Sequence, residues 1–238
     1  RQTNAADIDL LADVPGAPYD NSANGGGNYA TLNPLDNYNT LSNGNLDVLG
    51  TSGNWRGTRG TIGMSSGKWY FEVTVNVAHT ANEQCLLGIA TSEAVISSNY
   101  ASAGANAWEY YSAGNFFNSG SVSSSPASYT LGDVIGIAFD ATSGSLEFYK
   151  NGVSQGVAFT GLTSGPYFAS TSMYGVMSGS TNFGQRPFAH TPPTGYKALN
   201  AYNSDTPLIT DPSEHFETRI YDGTGSTKVF TGFEFGPD

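Results

Sequence analysis

Residues 132–152, GDVIGIAFDATSGSLEFYKNG, leave a chain few choices of fold. DVIGIAF (133–139) is an apolar run of strand length, DATSG a tight connection, and SLEFYK (145–150) an alternating run that can pair back on it. Asn151-Gly152 then closes a second reversal, because both positions tolerate the positive φ of a type I′ hairpin turn. VSQGVAF follows as a third strand. The result is an antiparallel meander with no room for a helix.

The rest of the chain repeats this grammar. In KWYFEVTVNV (68–77), Trp69, Phe71, Val73, Val75 and Val77 fall on one face and Tyr70, Glu72, Thr74 and Asn76 on the other. That pattern predicts a strand with one buried side. CLLGIAT (85–91) is apolar almost throughout, as a strand covered on both faces should be. NYATLNPL and TLSNGNLDVLG read as short extended pieces, 92–107 as a long loop, and WEYYSAGNFFNSGS as a strand broken by glycine. GPYFAST, TNFGQRPF and GYKALNAYN supply further extended segments. Strands recurring with turn signals between them predict an all-β antiparallel sandwich. Thirteen Phe and fourteen Tyr can fill its core.

Three divisions follow: 1–28 as an N-terminal linker, 29–205 as the sandwich, and 206–238 as a linker and the truncated start of a second small β-module. Within the first, Asp7 and Asp9 lack the regular spacing of a calcium loop. The start RQTNAADIDLLADV has neither a signal-peptide core nor an initiator Met, as expected of a fragment of a longer chain.

Chemistry is sparse. Net charge is −11, with nine Lys and Arg against twenty Asp and Glu, which argues against a nucleic-acid partner. No stretch approaches the ~20 apolar residues of a membrane span. Cys85 reads as a buried small hydrophobe. His79, His190 and His215 lie far apart in sequence, so no metal site or cofactor is expected. Glu72 and Glu147 stand singly on strands whose apolar neighbours face the core, so both should point outward, and no catalytic residue is proposed. Candidate ligand-binding residues are Trp55, Arg56 and Arg59 in GNWRGTRG, read as a flexible loop, and Trp108, Tyr110 and Tyr111 in WEYY. The aromatic rings would stack on a ligand, and the arginines would bond carboxylates.

The order GKWYFEV, LLGIAT, LGDVIGIAFDATSGSLEFYKNG, GPYFAS, NFGQRPF resembles that of SPRY domains over roughly residues 60–186. The resemblance implies a concanavalin-like sandwich of two bent sheets, and a non-catalytic binding unit working through loops at one end. The flanks GGGNYATLNPL, TLSNGNLDV and TPPTGYKALNAYN, with YDGTGSTKVFTGFEFGPD at 221–238, are similar to SPRY proteins of tailed phages and marine metagenomes. That likeness implies a virion appendage: a fibre, tail or head component on the particle surface. Its expected partners are other virion proteins and a host-surface glycan or receptor. Appendages are commonly symmetric, which leaves a homo-oligomer open. Two alternatives stand beside host recognition: a purely structural decoration subunit, and a SPRY adaptor gripping a peptide. The peptide-gripping loop residues of animal SPRY domains have no match here.

Overall fold

The computed structural model describes residues 28–122 and 126–204, together with Gly223 and Gly225. The chain divides into two units, Arg1–Ser204 and Asp205–Asp238, and every strand below belongs to the first. The linker expected over 1–28 (Asn28 apart), the module expected over 206–238, and His215 lie outside the described residues.

Fifteen strands follow one another. They are β1 (Leu32–Asn37), β2 (Thr40–Ser42), β3 (Asp47–Leu49), β4 (Ser52–Gly60) and β5 (Lys68–Val75). Next come β6 (Gln84–Ala90), β7 (Ala107–Tyr111), β8 (Asn115–Phe117), β9 (Ser121–Val122) and β10 (Val134–Asp140). The series ends with β11 (Ser145–Lys150), β12 (Val153–Phe159), β13 (Phe168–Gly175), β14 (Ser178–Asn182) and β15 (Lys197–Ala198). A single 3₁₀ turn, Ala101–Ala103, interrupts the loop before β7.

Sheet 1 runs β1-β4-β13-β6-β7-β8-β9, and sheet 2 runs β12-β11-β10-β5-β14-β3-β2. All these pairings are antiparallel; β15 adds to β5 in parallel, at Lys197↔Trp69 and Ala198↔Tyr70. The meander forms as its residues dictate. β10 and β11 pair from Ile135↔Lys150 to Asp140↔Ser145. Asn151 and Gly152 take φ of 51° and 78° between β11 and β12, the two positive values a type I′ turn requires. Asn151 also holds the hairpin in place: its Oδ1 accepts from Val134 N at 2.8 Å and its Nδ2 donates to Asp133 at 2.7 Å.

Between the sheets lies one apolar core. Phe71, Val73, Ile135, Ile137, Phe139 and Phe148 of sheet 2 meet Leu87, Ile89, Tyr110, Phe116 and Met173 of sheet 1. Removing so many large side chains from water is the main stabilising term, since each contributes on the order of 2 kcal/mol. The sandwich extends on both sides of the region quoted above for the resemblance. Tyr29 bridges Asn200, with Ala30 N donating to Leu199 O and Ala201 N to Asn28 O, both within 2.9 Å.

Two expectations change. GNWRGTRG is not a loop: it forms most of β4, a strand with β1 on one edge and β13 on the other. Gly57 is there for close approach, since a β-carbon on it would lie 2.6 Å from Ile96 Cβ. Nor does Glu72 point to water. The outer face of β5 is roofed by residues 186–190, and Glu72 is only 2% exposed. It accepts from Ala189 N (2.8 Å), His190 N (3.0 Å) and Tyr70 Oη (3.0 Å). Alternation placed Glu72 on the outer face correctly but says nothing of a segment over a hundred residues later that covers that face. Glu147 is half-buried and is bonded by the Ser154 hydroxyl.

Candidate functional site

The outer face of sheet 1 is built from residues of matching parity. Register pairs Leu86 with Tyr111 and Gly88 with Glu109 across β6–β7, and Ser170 with Gly88 and Ser172 with Leu86 across β13–β6. Arg59 and Gly57 join from β4, opposite Ser170 and Ser172. Part of this face is covered by the segment 91–106, and three anchors hold the cover down.

The first anchor is Glu109, 0% exposed. Its Oε2 accepts from Ser102 N (3.1 Å) and Ser102 Oγ (2.7 Å), and its Oε1 from Ser170 Oγ (2.8 Å) and Ser172 Oγ (3.0 Å). Burial raises its pKa above the ordinary value of 4.5, and the serine donors pull it partly back. The second is Arg59. It grips Asp36 through Nε (2.5 Å) and Nη2 (2.9 Å) and donates from Nη1 to Ala94 O at 2.7 Å. The third is apolar, a small cluster of Ala90, Ala94, Ile96, Ala101 and Ala107.

The cover stops short of one end of the sheet. There Trp55, Gln84, Leu86, Tyr100, Tyr111 and Phe117 line a cavity of about 220 Å³. Tyr100 reaches it as the residue just before the anchored Ala101–Ser102 pair, whose first member donates from its backbone N to Ser172 Oγ at 3.0 Å. Tyr174 packs on Trp55 with centroids 5.4 Å apart and opens into a neighbouring cleft lined also by Asn82, Glu83 and Val176. The Tyr111 hydroxyl donates to Gln84 Oε1. Its pKa is raised, chiefly by burial, so it stays protonated at neutral pH. His79 stands beside Tyr111, its Nδ1 2.9 Å from Ser112 Oγ.

Of the six residues proposed from sequence, the structure brings two together here, Trp55 and Tyr111. Tyr110 is 0% exposed and points into the core, where it packs on Phe116, Tyr129 and Phe148; it is unavailable to a ligand. Trp108 shares its face, half-buried, edge-on to Tyr167. Adjacent residues of a strand face opposite ways, so a run such as WEYY must split between core and surface. Arg59 is 8% exposed and works as the anchor just described. Arg56 is half-buried and bonds the Trp55 carbonyl at 3.0 Å.

Tyr100, Phe117, Tyr174 and Gln84 were missed. NFF alternates like any strand, and nothing local says that Tyr100 meets Phe117 across the cavity. No group of three metal-ligating side chains exists among the described residues. Cys85 is buried, and burial pushes its thiol up to about 12. Among the described residues no helix is long and apolar enough to cross a membrane.

Comparison with known proteins decides the family. The SPRY domain model matches residues 68–186, half of the chain. The chain belongs to the SPRY family. The crystal structure of the SPRY domain of human HERC1 superposes with a TM-score of 0.56 at 20% identity, covering 63% of this chain and 96% of that one. Both findings agree with the sandwich predicted from sequence. A segment of 76 residues is 40% identical to the E3 ubiquitin-protein ligase RKP of Arabidopsis thaliana; the match spans 30% of this chain and 6% of the ligase. The chain therefore spans only a small part of the length of this curated relative.

Proposed function

We propose that this chain is a non-catalytic SPRY recognition module that grips a segment of a partner protein in the aromatic cavity on the outer face of sheet 1. The observation that carries the reading is the convergence of four half-buried rings, from β4, β7, β8 and the 91–106 cover, on one concavity. By contrast, Phe71, Tyr110, Phe116, Tyr129, Phe139 and Phe148 fill the core. A rigid strand framework with one ring on an anchored cover is a preorganised pocket for a side chain, the form a binding hot spot takes. The family and a relative named as a ubiquitin ligase support a protein ligand, as in the peptide-adaptor alternative, over the glycan first expected.

The virion setting rests on the likeness of the flanking segments alone, and so do its particle-surface location and its virion partners. The same cavity would serve an appendage that grips a neighbouring subunit. The test is selection from a displayed peptide library on the intact chain, with a glycan array run in parallel. Peptides whose binding is lost in Trp55→Ala and Tyr111→Ala are the expected result. Saturable glycan binding with no selected peptide, or peptides indifferent to both substitutions, would overturn it.

A further inference from the structure

The four rings of the cavity close on themselves. Centroid distances are 5.3 Å for Trp55–Tyr100, 5.7 Å for Tyr100–Phe117, 5.4 Å for Phe117–Tyr111 and 6.2 Å for Tyr111–Trp55. The corresponding interplanar angles are 74°, 89°, 77° and 65°. Four rings set near right angles at these spacings border one cavity of about 220 Å³, so a cation seated among them would lie within the ~6 Å at which an aromatic face attracts it. Tyr174 braces Trp55 from beside the box.

Charge points the same way. No Lys or Arg lines the box, the adjoining cleft carries Glu83, and the whole chain has a net charge of −11. Hydrogen-bonding capacity then selects among cations. Apart from the tyrosine hydroxyls, the polar lining side chain is Gln84, and both ends of its amide are engaged: Oε1 accepts from Tyr111, and Nε2 donates to Ala81 O at 2.7 Å. A primary ammonium brings three N–H donors and a guanidinium five, and either would strand most of them in this box. A cation with no N–H loses nothing there.

Resting on the reading of this cavity as the binding site, we propose that the SPRY box is a cage for a quaternary ammonium, presented as a trimethylated lysine side chain of a partner protein. The test follows the Trp55 indole N–H signal by NMR, assigned with Trp55→Phe, while the intact chain is titrated with N-acetyl-trimethyllysine amide. The matching lysine derivative and the uncharged tert-butyl isostere are run beside it. A saturable shift with the trimethylated compound, roughly tenfold tighter than with either comparator, is expected. Tyr100→Leu and Phe117→Leu keep an apolar wall but remove a π face, and each should weaken the trimethylated compound several-fold while leaving the isostere unchanged.

Equal affinity for the isostere overturns the cation and leaves an apolar groove. No shift with any of the three compounds, while library-selected peptides still bind through Trp55, also overturns the cation and keeps the peptide site. Failure of those peptides as well would remove both readings.

Discussion

The two outer faces of the sandwich are handled alike up to a point. Each carries a buried glutamate in mid-strand, and each glutamate pins down a covering segment. On sheet 2, Glu72 takes two backbone N–H groups of residues 189 and 190 and a tyrosine hydroxyl, and Phe188 lies edge-on to Tyr70 at 5.0 Å. On sheet 1, Glu109 takes one backbone N–H and three serine hydroxyls. The first cover leaves a polar cleft bordered by Thr74, Asn76, Ser180 and Asn182. The second stops at Tyr100 and leaves the aromatic box. The same anchoring device therefore leaves a polar cleft in one place and an aromatic one in the other. Which face can hold an organic ligand depends on where the cover ends.

Replacing the two anchors should separate their roles. Glu72→Ala strands two rigid backbone donors at a buried position and is expected to cost about 3 kcal/mol in urea unfolding. Glu109→Ala should cost less, about 2 kcal/mol, because three of its four donors are hydroxyls that can rotate towards other acceptors. An equal or reversed order would show that the two covers are not held in the way the hydrogen bonds suggest.

Protonation gives a finer test. The folded-state pKa of Glu109 lies above its ordinary 4.5, so just above that pH the folded chain keeps a proton that the unfolded chain has lost. This carboxyl's contribution to stability is therefore greatest at low pH and falls as pH rises through the window above 4.5. Glu109→Gln should flatten that part of the stability–pH profile measured by urea unfolding, and an unchanged slope would show that Glu109 is not the group that titrates there. The smallest effect on folding is expected at the box itself. Trp55→Ala should change stability by no more than about 1 kcal/mol, since its ring is half exposed, while abolishing ligand binding.

The meander was fully legible. Residues 132–159 contain their own pairing information, and Asn151-Gly152 names its turn type. The faces of β5 were legible too, because alternation depends only on neighbours; the same rule applied to β7 separates Tyr110 from Tyr111, which the sequence reading groups in one site. What covers a face is a different kind of fact. Ala189 is 117 residues from Glu72, and Ser170 is 61 from Glu109. Neither contact leaves a trace near the glutamate it satisfies. For the same reason GNWRGTRG looked like a loop: its glycines signal flexibility locally, yet Gly57 is what admits Ile96. Of the site, Trp55 and Tyr111 were found because they are large and sit beside polar residues. Tyr100 and Phe117 needed the fold to bring them into register.

The short ladder that joins Asn28–Ala30 to Leu199–Ala201 has a mechanical consequence. Chain enters and leaves the sandwich side by side, at the open end of an antiparallel pair. A pull between the two flanks therefore loads those hydrogen bonds one after another, as a zipper is opened, and not all together as when strands are slid past each other. The module can be threaded into a longer polypeptide without holding its neighbours apart, and its first response to tension is to peel at that seam while the central strands of both sheets stay paired.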